Sequence, residues 1–349
     1  MWRKFIENTR MFFIILLFVK VFEVIFGANN SLVGVSILIT ILILKYEDLT
    51  DNFWGNLIKI FFVNVASGIF TYLATNNIYL GIALNFLALF TITYMFTHKM
   101  NKMMVIPFGL QYLFMLYSPV VDYDFIKRLI ELGVGAILVM IVQLITYRRS
   151  NKNKEENKIE LNNDNVNKDN IKDKFTNIYN KFKVNDVRMA YSIRIAIITT
   201  IAIFLVGFFH LANGRWLVYT VFSLTELYSE QCRSKSRQRL QGTIIGGIII
   251  ILLFMFIKDS AIRGLIVLLA GYLDSYTTNY RDKVICITMA VVASISLAGN
   301  ITVFVAIERL IYVALGILLA IFADKFIFNI KWIYLNYIAS ILYKNYTLF

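Results

Sequence analysis

Apolar residues fall into long runs separated by short polar breaks, and no stretch alternates apolar and polar positions as a barrel strand would. A bilayer core takes about 20 apolar residues per helix, with about 17 to 25 tolerated. That length predicts spans near 11–28, 31–45, 57–75, 78–97, 103–118 and 125–147 in the first half. In the second half it predicts spans near 192–211, 215–229, 242–257, 261–278, 283–300 and 303–328. Pro107 and Pro119 are the only prolines, which favours unbroken helices. The expected fold is an all-α integral membrane protein of about twelve transmembrane helices.

The polar breaks set the expected orientation. An inside N-terminus puts Lys45, Lys59, Lys99, Lys102, Arg148 and Arg149 in the cytoplasm, together with Arg233, Lys235, Arg237, Arg239, Arg281 and Lys283. The opposite connections, at Asn29-Asn30, Asn76-Asn77, 118–124, Asn213-Gly214, 258–261 and Gly299-Asn300, are short and poor in cations, with Arg215, Lys258 and Arg263 as the exceptions. Both termini are then cytoplasmic. In the sixth predicted span Arg128 precedes Gly135 by seven residues, and in the twelfth Arg309 precedes Gly316 by the same interval. The expectation is two parallel six-helix repeats. The domains would be 1–147, a polar linker at 148–187, a second half at 188–328, and an interfacial aromatic tail at 329–349. The start of the linker is too polar to pack and is expected to be disordered. From Ile171 its apolar residues recur at three- and four-residue steps, as in an amphipathic helix on the inner leaflet.

Composition supports this. Apolar residues make up 58% of the 349 and charged ones 16%, too few for a soluble surface. The net charge of +13 is read as cations flanking spans and meeting anionic headgroups rather than nucleic acid. The run from Met11 follows Arg3, Lys4 and Arg10, but Lys20, Glu23 and the lack of a small-residue cleavage site argue against a signal peptide. Cys232 and Cys286 give neither a disulfide framework nor a metal spacing, and His98 and His210 form no cluster. No phosphate-binding loop is present, so no ATP motor, metal or other cofactor is expected.

Candidate chemistry concentrates between Gly214 and Gly247. Arg239 and Thr243 flank the start of the ninth span, where free backbone N–H groups and a guanidinium favour an anion. Ordinary inner-face anchoring explains Arg239 as well. Gly242 and Gly246 form a small-residue face for close helix approach, and Gly135 and Gly316 are further packing candidates. Arg309, beside Glu308, and Arg128, beside Lys127 and one turn before Glu131, lie inside spans. Each can be a counter-charge for a substrate carboxylate, or can pair with a glutamate and hold helices together. Glu23, Glu226 and Asp274 are the candidate proton carriers. Against that role, Glu23 can pair with Lys20, and the other two suit solvated helix ends.

The pattern Gly214-x-Trp216, Arg239-x-x-Gly242-Thr243-x-x-Gly246, Tyr280, then Arg309 with Gly316 resembles the fusaric acid resistance and aromatic acid exporter family. The detailed likeness covers 188–328; the first half matches only in layout and through Arg128 and Gly135. The resemblance implies paired six-span regions around a cytoplasmic segment and export of aromatic or amphipathic organic acids. The short linker departs from the folded cytoplasmic domain that many members carry. The expected function is proton-driven export of small organic anions across a bacterial cytoplasmic membrane, with lipids and a second copy of the chain as compatible partners. An organic-anion channel and a non-transporting envelope scaffold are the alternatives. Short outer loops and scarce histidine and acidic clusters disfavour an enzyme.

Overall fold

The computed structural model describes residues 2–44, 49–50, 52–97, 104–158, 171–227, 229–297, 299 and 301–327, without side-chain detail at 2–4, 7, 148–158, 171–186 and 229. Expectations for His98, Lys45, Lys99, Lys102, the middle of the linker and the aromatic tail lie outside the described residues, as do those for the side chains of Arg148 and Arg149 and of the amphipathic stretch from Ile171.

Twelve α-helices account for the regular structure of the described residues: α1 (Trp2–Phe26), α2 (Ser31–Leu44), α3 (Phe53–Asn76), α4 (Ile78–Phe96), α5 (Val105–Leu116), α6 (Asp122–Lys158), α7 (Ile171–Phe208), α8 (Arg215–Leu224), α9 (Ser229–Phe256), α10 (Ser260–Asp274), α11 (Tyr280–Leu297) and α12 (Thr302–Phe326). Six stretches are long and apolar enough to cross a membrane: Phe53–Asn76, Ile78–Phe96, Asp122–Tyr147, Val187–Phe208, Glu230–Phe256 and Thr302–Phe326. This is a multi-pass helical membrane protein. Of the other six helices, α2, α5, α8 and α10 have 10 to 15 residues, whereas α1 and α11, with 25 and 18, are long enough but richer in charged residues. At about 1.5 Å per residue the ten residues of α8 rise only about 15 Å. In α1, charged residues interrupt the apolar run, and Lys20 and Glu23 pair at 3.0 Å on its exposed side.

Polar residues at the breaks do the capping. Asn77 both ends α3 and starts α4, its side chain accepting from the N–H groups of Tyr79 and Leu80 at 2.9 and 3.2 Å. Asp259 does the same for α10 through Ala261 and Ile262. Such caps satisfy first-turn donors that have no intrahelical partner. α6 runs past its apolar span to Lys158, since extending a formed helix avoids the nucleation penalty.

The chain forms two compact units, one of 18–196 and one of 1–17 with 197–349; α1 and α7 each run through both. In the first, Phe22, Phe26, Val33, Ile37, Met115 and Leu132 make a core cluster. Gln143 of α6 donates to the Leu44 carbonyl, satisfying the last turn of α2. In the second unit, α9 packs on α11 and α12, with Trp216, Ile250, Phe254, Val292 and Val305 at the centre. Many outward residues, among them Leu252, Leu265, Leu269, Ile307 and Leu318, are exposed, as lipid contact requires.

Gly242 and Gly246 lie against α11. A Cβ on either would stand 2.7 Å from the carbonyl oxygen of Arg281 or Ile285, whereas one on Gly247 would meet nothing closer than 3.8 Å. Gly246→Leu is therefore expected to destabilise the protein by about 1–3 kcal/mol, the range for overpacking, and Gly247→Ala to leave stability unchanged. Thermal unfolding in detergent measures both, and equal melting temperatures for the two variants would refute the close approach. Gly316 brings α12 against α8 in the same way, 2.9 Å from the Leu217 carbonyl oxygen, while Gly135 meets only the Ile37 side chain of α2.

Candidate functional site

The first half of α9 is polar and the second apolar, so Arg239 falls where the helix passes from one environment to the other. α8 ends at Leu224, and Thr225 leaves the helix in an extended conformation, opening a break before α9. Around that break the hydroxyls of Thr220 and Thr225 return to their own helix, donating to the Trp216 and Val221 carbonyls at 2.7 Å. Arg239 Nη1 donates to Ser223 Oγ at 2.8 Å and to the Tyr280 hydroxyl at 2.7 Å. A half-buried guanidinium is thus held by two neutral oxygens.

Arg309 enters the same region from α12. It is buried, with its guanidinium carbon 5.4 Å from the centre of the Trp216 ring. Trp216 is fixed in turn by an edge contact with Tyr312. Arg309 Nε is enclosed with no hydrogen-bond partner, and Arg309 makes no ion pair among the described residues. Arg239 lies close enough for the two positive charges to act on each other. The neighbouring carboxylate, Glu308, is turned away and accepts from Asn213 Nδ2 at 2.7 Å. Arg309 over the Trp216 ring, with the charge of Arg239 acting on it, brings together two positive charges, and neither arginine makes an ion pair among the described residues. Leaving a buried cation unpaired costs several kcal/mol, which an entering anion can offset.

The remaining predicted residues fall elsewhere. Thr243 is buried and donates to the Arg239 carbonyl at 2.9 Å, closing its own helix. Glu226, at the break, accepts from Lys235 Nζ at 2.7 Å. Asp274 is half-buried and receives the Thr277 hydroxyl at 3.4 Å, and Glu23 is paired with Lys20 at 3.0 Å. Arg128 lies in the 18–196 unit and is fully engaged: Nε donates to Asn30 Oδ1 at 2.8 Å, Nη1 to the Ser118 and Met115 carbonyls at 2.8 and 3.5 Å, and Nη2 to the Asn29 carbonyl at 3.1 Å. Sequence reasoning missed Asn30, whose Nδ2 also ties the Phe26 and Asp124 carbonyls at 3.1 Å. An adjacent Asn-Asn pair at a tight break was the available signal.

These features define a multi-pass helical membrane protein with two neighbouring arginines, Arg239 and Arg309, in its C-terminal part. Residues 201–323 match the family described as fusaric acid resistance protein-like. Trp216, Arg239, Thr243, Tyr280, Arg309 and Gly316 all lie inside the matched stretch. No curated protein matches the chain, and neither does any solved structure.

Proposed function

We propose that the protein exports amphipathic organic anions, aromatic acids in particular, across the cytoplasmic membrane at the expense of the proton gradient. One observation carries this reading: among the described residues Arg309 is buried without an ion-pair partner, beside Trp216 and within electrostatic range of Arg239. An aromatic carboxylate matches all three. Its carboxylate takes the charge-assisted hydrogen bonds of the guanidiniums, and its ring finds an aromatic neighbour in Trp216. The Ser223 and Tyr280 hydroxyls would then hold Arg239 in place as the anion arrives and leaves. The family of the 201–323 stretch, with its association with resistance to an organic acid, agrees with transport as the function.

Trp216 provides a direct readout, being one of four tryptophans and the one beneath Arg309. Naphthalene-2-sulfonate, an aromatic anion with no neutral form near pH 7, is expected to quench part of the intrinsic fluorescence of the purified protein saturably, and Trp216→Phe to abolish that part. Quenching that survives in Trp216→Phe would place the ligand elsewhere. In cells, overexpression is expected to lower the accumulation of labelled benzoate, and an uncoupler to cancel the effect. Equal accumulation in expressing and empty cells would overturn the export reading, and uncoupler-insensitive efflux would favour a channel.

A further inference from the structure

Glu131 is the acidic side chain for which the site above has no use. It sits in the apolar span of α6, entirely without solvent exposure. Neither carboxyl oxygen has a hydrogen-bond partner, and Glu131 forms no ion pair among the described residues. This is unlike the other candidate acids, since Glu226 is held by Lys235, Glu23 by Lys20 and Asp274 by Thr277. A glutamate that only filled space there would cost more than leucine or glutamine, because an uncompensated acidic group at membrane depth is expensive.

Its surroundings are poor in charge. On α6 itself Arg128 stands one turn earlier, and its charge acts on Glu131, but its donors are taken by Asn29, Asn30, Met115 and Ser118. Asp124, further back on α6, is bound by Asn29 Nδ2 at 2.8 Å. The helices packed against α6 are α2 and α3, with the short turn Ala28–Asn30. Neither α2 nor the turn carries a titratable residue; α2 brings the Gly34 backbone N–H toward the carboxyl, short of hydrogen-bond geometry. α3 carries Lys59, which donates to the Met95 carbonyl, and Tyr72, which stacks on Phe125. α1 packs Phe22 and Phe26 beside Leu132, and its Lys20 and Glu23 pair with each other.

We infer that Glu131 is the proton-exchanging group of the transporter. In each cycle its carboxylate binds one proton to become a carboxylic acid and later releases it, and no other bond changes. Arg128 is clamped by the Asn30 side chain and by the Asn29, Met115 and Ser118 carbonyls. It supplies a fixed positive charge one turn away, against which the carboxylate can form without a rearrangement of the helices. This inference rests on the transport reading and specifies its coupling, which the candidates Glu23, Glu226 and Asp274, each already partnered, would leave open.

The test uses full-length protein in liposomes, an acidic lumen, and the membrane potential clamped with potassium and valinomycin. Wild-type protein is expected to accumulate naphthalene-2-sulfonate in exchange for luminal protons. Glu131→Gln is expected to lose this accumulation while keeping fluorescence quenching and the one-for-one exchange of labelled for unlabelled sulfonate. Glu131→Asp, which keeps a carboxyl, is expected to recover accumulation. Undiminished pH-driven accumulation in Glu131→Gln would overturn the inference. Absence of sulfonate binding by wild type would instead overturn the arginine site. In that event the native protein still tests Glu131, through dicyclohexylcarbodiimide, an apolar reagent that adds to protonated carboxyls within lipid. Modification of the Glu131 peptide that declines as pH rises supports proton exchange there, and no modification at any pH rejects it.

Discussion

Arg309→Met is expected to weaken organic-anion binding and efflux severely while the protein stays folded, and to raise its unfolding temperature in detergent. The two effects have one cause. Arg309 is buried, its Nε has no acceptor, and it shares its surroundings with the charge of Arg239. Methionine keeps most of the side-chain length and the contact with Trp216, and removes the charge. Losing charge-assisted hydrogen bonds of about 1.5–3 kcal/mol should weaken sulfonate binding roughly 10- to 100-fold. Replacing an uncompensated buried charge by an apolar side chain should stabilise the empty protein by on the order of 1–4 kcal/mol. Fluorescence titration and thermal unfolding on the same preparation measure both. Wild-type affinity in Arg309→Met would remove Arg309 from the site, and a large loss of stability would mean that the guanidinium is a structural tie. Arg309→Lys keeps the charge without the planar fork and should fall between the two.

Arg128→Met is expected to do the reverse. It carries the same change at the same seven-residue distance from a glycine, yet it should lower stability by about 3–5 kcal/mol, the range for breaking a buried charged network. Its guanidinium joins the turn at Asn29 and Asn30 to the end of α5 at Met115 and Ser118, and its loss takes the guanidinium donors from Asn30 Oδ1 and from the Asn29 and Ser118 carbonyls. The protein should melt earlier and yield less folded material, while molecules that remain folded bind sulfonate with unchanged affinity. A wild-type melting temperature would contradict the clamp. Reduced affinity in folded protein would instead return Arg128 to the substrate path.

The comparison of these two arginines shows where the sequence stops being sufficient. Their local contexts read alike: an arginine inside an apolar run, an ionisable neighbour, a glycine two turns on. What separates them is what the other helices offer. Asn29, Asn30 and the end of α5 present oxygens to Arg128, whereas α8 presents an indole face and α9 a second cation to Arg309. Such partners are distant along the chain, and no spacing rule identifies them. The same holds for the acids. Glu226 reads as a membrane carboxylate until Lys235 is seen folded back onto it, and Glu131 reads as a partner for Arg128 until that arginine proves to be occupied.

The properties that depend on short stretches of chain were decided by the sequence. Hydropathy over runs of about 20 residues sets which stretches leave water, asparagines and aspartate at the breaks set where helices begin, and glycines at four-residue spacing set where α9 can meet a neighbour's backbone. Tertiary structure alone decided which charged groups are satisfied. Most hydrogen bonds form within about 3.2 Å and Coulomb energies weaken with distance, so the state of each arginine and carboxylate depends on atoms that only the packed helices bring within reach.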